Sequence, residues 1–499
     1  MRRIASASFL AAVVLSITAV VVHGERSLIP NGTGYPNDAG VARTYSMTGG
    51  IDLTNPFFQS LGSNGRSCGS CHQPGDGMTV SAAHIQQRFD HTDGLDPIFR
   101  TNDGSNCNHD IDTSTLAGRR DAYSLLRTRG VFRIAIDVPP TADFAIVDVD
   151  NPYLCNETNP IAMYRRPLPS ANLRFLSAVM FDGRESSPLT GTTKIGFGNS
   201  AALPADLAHQ SMDATNTHAQ GDGTRPTSAE KQQIVDFEMA LFTAQTNARG
   251  GGNLDAPGAR GGPEALVGEP FFISINSSVN FLLPLLELPG GHDVPGDGRF
   301  TPKVFDLFDA WETEPPSSPR AAIARGQAIF NSKPITITGV KGINDDASFG
   351  GLAAGGVPSL EGTCGTCHDT PNVGNHSFPT PLDIGTGDPD PGNASTNMGG
   401  LDITYLPKVT ACRKDPVTHA ATSDCVTTTD LGQALIDGKF DHIGKIKGPV
   451  LRGLASRAPY FHNGSAQTLL DAVKFYETRF GLSLTPQEES DLVAFLGAL

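Results

Sequence analysis

With 499 residues, 38% of them hydrophobic, the chain is long enough to bury at least two ordinary domain cores. Its 55 glycines and 36 prolines, set against only 18% charged residues, exclude long coiled helices and point to loop-rich domains. A formal net charge of −15 argues against a nucleic-acid partner and suits a soluble protein whose negative field steers a basic one.

The chain opens on "MRRIASASFLAAVVLSITAVVVHGERS". Arg2 and Arg3 precede an apolar run from Phe9 to Val22, and the small residue Gly24 follows, which is the order of an export signal. The run is short for a spanning helix, although an uncleaved anchor is the alternative. Residues 1–24 are therefore expected to direct the chain out of the cytoplasm, into the periplasm.

"GRSCGSCHQPG" comes next, and "EGTCGTCHDTPN" repeats its Cys-x-x-Cys-His pattern 296 residues later. At this cysteine and histidine usage about 0.003 such matches are expected by chance. Two thiols three positions apart suit thioether bonds to a porphyrin, and the adjacent imidazole suits the iron. Cys68, Cys71 and His72, then Cys364, Cys367 and His368, are thus expected to carry two covalently bound haem c groups. A four-cysteine zinc site would leave the histidine after each pair unexplained. The other cysteines, Cys107, Cys155, Cys412 and Cys425, are even in number and destined for an oxidising space. Four allow three pairings; neighbours are expected to join, Cys107 with Cys155 and Cys412 with Cys425. His84, His91 and His109 follow the first unit, either as displaceable sixth ligands or as solvated loop histidines.

"TSAEKQQIVDFEMALFTAQT" is predicted as one capped amphipathic helix, with Ile234, Phe237, Leu241 and Ala244 in register. It would close a first haem domain over 25–247. The Gly-rich "ARGGGNLDAPGARGGPEA" begins a linker and insertion over 248–319. A C-terminal haem domain would then occupy 320–499. "RAAIARGQAIFN" places Gly326 and Phe330 on one helical face, and the glycine lets another helix approach closely. The last helix is capped by Thr485, Pro486 and Glu488 and turns Leu492, Val493, Phe495, Leu496 and Leu499 inward. The expected fold class is mainly α: two cytochrome c-like haem domains with loop-rich insertions.

"KIKGPVLRGLASRAPYFHNGSAQTLLDAVKFYETRF", "VMFDGRE" and "FEMALFTAQ" resemble segments of the bacterial di-haem cytochrome c peroxidase and MauG family. The resemblance covers about half the chain and is strongest over 320–499. It implies a first haem that reacts with hydrogen peroxide and a second that relays electrons from a small donor, a c-type cytochrome or a cupredoxin. It also leaves a homodimer open. By the same resemblance Tyr476 falls where the second iron takes a Met or Tyr ligand, though a core aromatic would suit that helix face too. His376 is the next candidate. Above the first iron Gln210 matches the family's Gln, but its Glu ten residues on is replaced by Gln220. An amide cannot shuttle a proton, so nearby His218 becomes the expected acid–base group. Phe181 stands where the family bridges its haems with Trp, and the single Trp, Trp311, lies in the insertion. Tyr460, Phe461 and His462 would pack that interface. A calcium ion between the domains would use Asp121 with the carbonyls of Arg457 and Pro459, unless Asp121 pairs with Arg119 or Arg120. Two rival readings stand beside the peroxidase. One is a MauG-like oxidase acting on a protein side chain or an organic substrate, the other a non-catalytic two-haem electron carrier.

Overall fold

A computed structural model describes residues 27–187, 200–256, 258–276, 300–346, 356–377, 380–389 and 401–499. The export segment lies outside the described residues, as do 277–299 of the expected insertion. Among the described residues no helix is long and apolar enough to cross a membrane.

The fold is not mainly α. It is 31% helical and 18% strand, with several small sheets, and this corrects the expectation. The clearest departure is the helix predicted to run through 246. It forms from Ser228 and ends at Met239, and Leu241–Ala248 continues as a strand. That strand is held on both sides, by Gly40–Ser46 and by Gly252–Asn253, in a four-stranded antiparallel sheet. Seven of its eight residues are buried, and two are threonines. A two-sided backbone ladder satisfies such a stretch better than the helical stripe its apolar spacing suggested.

A second sheet, Phe144–Asp150 beside Lys408–Lys414 beside Ala421–Thr428, joins segments more than two hundred residues apart. Cys412 and Cys425 face each other across its hairpin and are bonded. Cys107 and Cys155 form the other disulfide, so both neighbour pairings are found.

The helices Pro319–Ser332 and Pro486–Gly497 cross as the sequence indicates. Ser318 caps the first, and Thr485 with Glu488 forms a capping box on the second. At Gly326 the backbones are so close that a Cβ would lie 2.0 Å from the Asp491 carbonyl oxygen and 2.6 Å from Phe495 Cβ. The Arg325 guanidinium grips the Asp491 carboxylate at 2.7 and 2.8 Å beside the crossing. Phe305, Phe308, Phe330 and Phe495 fill the core around it, and Trp311 stacks on Phe308. The lone tryptophan is therefore a core residue, packed with 300–311 onto the C-terminal helices. The carboxyl end is drawn back to the central sheet: the Leu499 carbonyl accepts from the Gln245 and Gly453 amides and from Arg452 Nε.

Gly326→Ala forces a methyl group against backbone that cannot swing aside. A loss of about 1–3 kcal/mol is expected, as for other overpacked contacts, and thermal unfolding of the variant measures it.

Candidate haem sites

Each Cys-x-x-Cys-His unit folds by the same local device. The Ser67 amide donates to the Ser70 hydroxyl and the Thr363 amide to that of Thr366, while the Ser70 and Thr366 amides return a bond to the Ser67 and Thr363 carbonyls, closing a single helical turn that carries both cysteines. The turn continues to the histidine, whose amide donates to the carbonyl of the first cysteine, at 2.9 Å for His72 and 3.0 Å for His368. Each imidazole is then tied through Nδ1 to a backbone carbonyl six residues on. His72 donates to Met78 at 3.0 Å and His368 to Gly374 at 2.8 Å. With the proton on Nδ1, Nε2 is left with a lone pair.

Both sets open onto cavities, of about 190 Å³ at the first site and 250 Å³ at the second. None of the four cysteines forms a disulfide. Burial pushes the Cys68, Cys364 and Cys367 thiols up to about 12 and Cys71 to about 11. It pushes both imidazoles down to about 4, keeping them neutral at physiological pH. The two cysteine pairs line separate cavities and so do not gather into one four-cysteine zinc site, whereas two thiols and a lone-paired nitrogen facing an apolar hollow fit a covalently held haem.

The walls opposite the two histidines differ. In the first cavity the helix Leu203–His218 presents Gln210, Ser211, Ala214, Thr215 and His218. His218 donates through Nδ1 to the buried Asp103 carboxylate, whose other oxygen takes Arg66 Nη1. Burial opposes the charge on Asp103, but His218 and Arg66 outweigh it and hold the carboxyl below its ordinary value. The His218 carbonyl is pinned in turn by Asn64 Nδ2 at 2.8 Å. Gln220 lies beyond the helix end in a left-handed turn, exposed, with only its carbonyl engaged by Ser63. It does not line the cavity. Neither do His84, paired with Asp76 at 2.6 Å, His91, bonded to the Gln87 carbonyl, or His109, exposed between Asp110 and Glu157.

In the second cavity Tyr476 faces His368, ring centroids 6.4 Å apart. Its phenol is raised by burial. It also packs on Phe475 and Phe480, at 5.4 and 5.6 Å. His376 lines the same cavity with both nitrogens on carbonyls, those of Cys367 and Thr380 at 3.0 Å. The cavities share a wall made of Arg166, Pro167, Leu168, Pro169, Phe181 and Lys447. Phe181 meets His462 edge-on at 6.0 Å there. Tyr460 and Phe461 line the second cavity beside it.

The calcium residues do not fit that ion. Asp121 is exposed at the end of a short helix, its carbonyl held by Asn106. The Arg457 carbonyl is already taken by Arg166 Nη2.

Sequence reasoning missed Asp103, Arg66 and Glu238. The first two are distant in the chain from His218 and carry no spacing signal. Glu238 stood in plain view in "FEMALFTAQ", but the apolar helix face drew the reading away from it. It lines the first cavity with Oε2 unbonded, and burial raises its carboxyl to about 8.

Over 68 aligned residues the chain is 43% identical to the cytochrome-c peroxidase IdrP1 of Denitromonas iodatirespirans, covering 11% of this chain. That identity supports a place in the di-haem peroxidase and MauG family. The match spans only 18% of the relative's own length. No family model matches the chain. A crystal structure described as a MauG-like protein associated with microbial copper homeostasis aligns over 90% of this chain and 88% of its own. Its identity to this chain is 16% and its TM-score 0.32. The family implies haem c, and the two sites described above suit it.

The Glu238 carboxyl ionises from 4.5 in the unfolded chain but holds its proton to about 8 when folded. Its contribution to stability is full below the lower value and is lost as pH rises through the higher one. Unfolding of the holoprotein measured between about pH 4 and 9 should show that decline, and Glu238→Gln should flatten it.

Proposed function

We propose that the chain is an exported di-haem c peroxidase that reduces hydrogen peroxide at the His72 site. Electrons would come from a small c-type cytochrome or cupredoxin through the His368 site. The His218–Asp103 pair on the wall of the first cavity carries this reading. Haem bound there would supply the iron that takes up peroxide and the electrons that break its O–O bond. The protein must move a proton from the near oxygen of peroxide to the far one, so that water leaves. His218 is suited to this transfer. Its Nδ1 is committed to Asp103, which leaves Nε2 to accept and return the proton, with Asp103 holding ring and tautomer. Gln210 adds an amide donor on the same wall. The largely apolar lining, including Leu173, Leu176, Val179 and Leu207, limits the competing access of water.

Reducing equivalents would cross the shared wall. Phe181 is harder to oxidise than the Trp it replaces, so tunnelling across this wall is favoured over hopping through a side-chain radical. The net charge of −15 would steer a basic donor.

A second reading has its own observation. Tyr476 opposite His368 is the residue that, by resemblance, distinguishes the MauG type, where the product is an oxidised protein side chain or organic substrate. A phenolate ligand stabilises ferric iron and lowers the potential, which hinders a relay drawing electrons from a high-potential donor.

Peroxide turnover by the holoprotein with a reduced c-type cytochrome tests the proposal. His218→Ala should lower kcat/KM for peroxide by about 10²–10⁴-fold, the usual worth of a positioned acid–base group. Asp103→Asn should cost less, since the ring then loses the carboxylate that fixes its orientation and tautomer. Wild-type rates in His218→Ala would remove His218 from the mechanism. Absence of donor oxidation by wild-type protein, with peroxide consumed against an organic substrate, would favour the second reading.

A further inference from the structure

Arg166 follows the strand Ile161–Arg165 and stands in the wall between the two cavities. It is buried, yet among the described residues no carboxylate forms an ion pair with it. Its guanidinium is surrounded by backbone oxygens instead. Nη1 donates to the Arg129 carbonyl at 2.7 Å, and Nη2 donates to those of Val80 at 2.6 Å and Arg457 at 2.9 Å. The Arg166 amide adds a bond to the His462 carbonyl at 2.6 Å.

The three carbonyls come from segments far apart in sequence. Val80 lies two residues past Met78, whose carbonyl holds His72. Arg129 ends a helix, where carbonyls lack intrahelical partners and carry the negative end of the dipole. Arg457 belongs to the C-terminal half and lines the second cavity. Convergent carbonyl oxygens are the donor set of a hard cation. Here that set includes the very carbonyl, Arg457, that the family resemblance would give to calcium.

The place is taken by a side chain. Burial first, and then the neighbouring Arg457 guanidinium, push Arg166 down to about 10, so it stays protonated at neutral pH. A divalent ion at the Arg457 oxygen would sit in contact with the buried Arg166 guanidinium that already occupies it, a repulsion little screened by bulk water. Lys447, buried in the same wall, adds a third cation.

We infer that Arg166 is a built-in cation standing in place of calcium, clamping the first haem segment, the Arg129 helix end and the C-terminal half without any metal. A guanidinium suits the role because its five N–H donors are fixed in direction and its charge cannot be chelated away.

The test uses the holoprotein. Thermal unfolding is recorded after exhaustive treatment with a calcium chelator and again after adding calcium, alongside a calorimetric calcium titration. The inference expects the same Tm in both states and no saturable heat at micromolar calcium. Stoichiometric binding with a Tm that rises on calcium addition and falls on chelation would overturn it. Arg166→Met keeps the bulk, removes the charge and leaves three buried carbonyls without their donor. Its Tm should drop by about 5 °C or more, and an unchanged Tm would overturn the clamp. Should the variant fail to fold, the wild-type titration decides alone.

Discussion

The bond from each imidazole Nδ1 to a carbonyl six residues on is the constraint from which the rest of the site follows. It fixes one tautomer and one ring orientation, so that Nε2 of His72 and of His368 is presented as a neutral donor. The turns closed between Ser67 and Ser70 and between Thr363 and Thr366 place the two thiols of each unit beside it. The loops that supply the carbonyls must then hold their shape, which is where the larger fold enters. Met78 leads through Val80 into the carbonyl cluster around Arg166, and Gly374 packs between Phe305 and Leu451 in the C-terminal core. Local chemistry at each histidine is thereby tied to long-range packing.

Duplication of the turn does not produce two equivalent sites. On the first, the helix Leu203–His218 contributes polar groups, a histidine hydrogen-bonded to a buried aspartate and an amide, and Glu238 lines the same cavity with an unbonded carboxyl oxygen. On the second, the histidine faces a tyrosine among aliphatic and aromatic neighbours. On the proposed function, the first arrangement would serve proton transfer and the second closure by a side-chain ligand. Between them lies the shared wall, carrying the positive charges of Arg166 and Lys447. Charge balance there would favour the anionic edge of a bound cofactor.

How much of this could be read from the sequence depended on whether the information was local. The turn at each Cys-x-x-Cys-His unit, the disulfide pairs, the helix caps and the close crossing at Gly326 are written in local sequence, and each is found in the structure. The strand Leu241–Ala248 was not legible, because its partner Gly40–Ser46 lies two hundred residues earlier and overrides the helical spacing. The same holds for Asp103 and Arg66, which meet His218 only in three dimensions. Gln210, reached by resemblance to the family's Gln, and His218, chosen as the titratable group near the replaced Glu, do line the first cavity. Gln220 was misplaced because that helix stops two residues before it. Arg166 was hidden by a different cause: an arginine bonded only to backbone leaves no side-chain partner to look for.

The central claim is that the two sites differ in what faces the histidine, one open beneath an anchored His218 and one closed by Tyr476. Electron paramagnetic resonance of the fully oxidised holoprotein tests it most directly. One high-spin signal from an open iron is expected, together with one low-spin signal from an iron with two protein ligands. Two low-spin signals, unchanged in His218→Ala, would contradict it and leave a two-haem electron carrier.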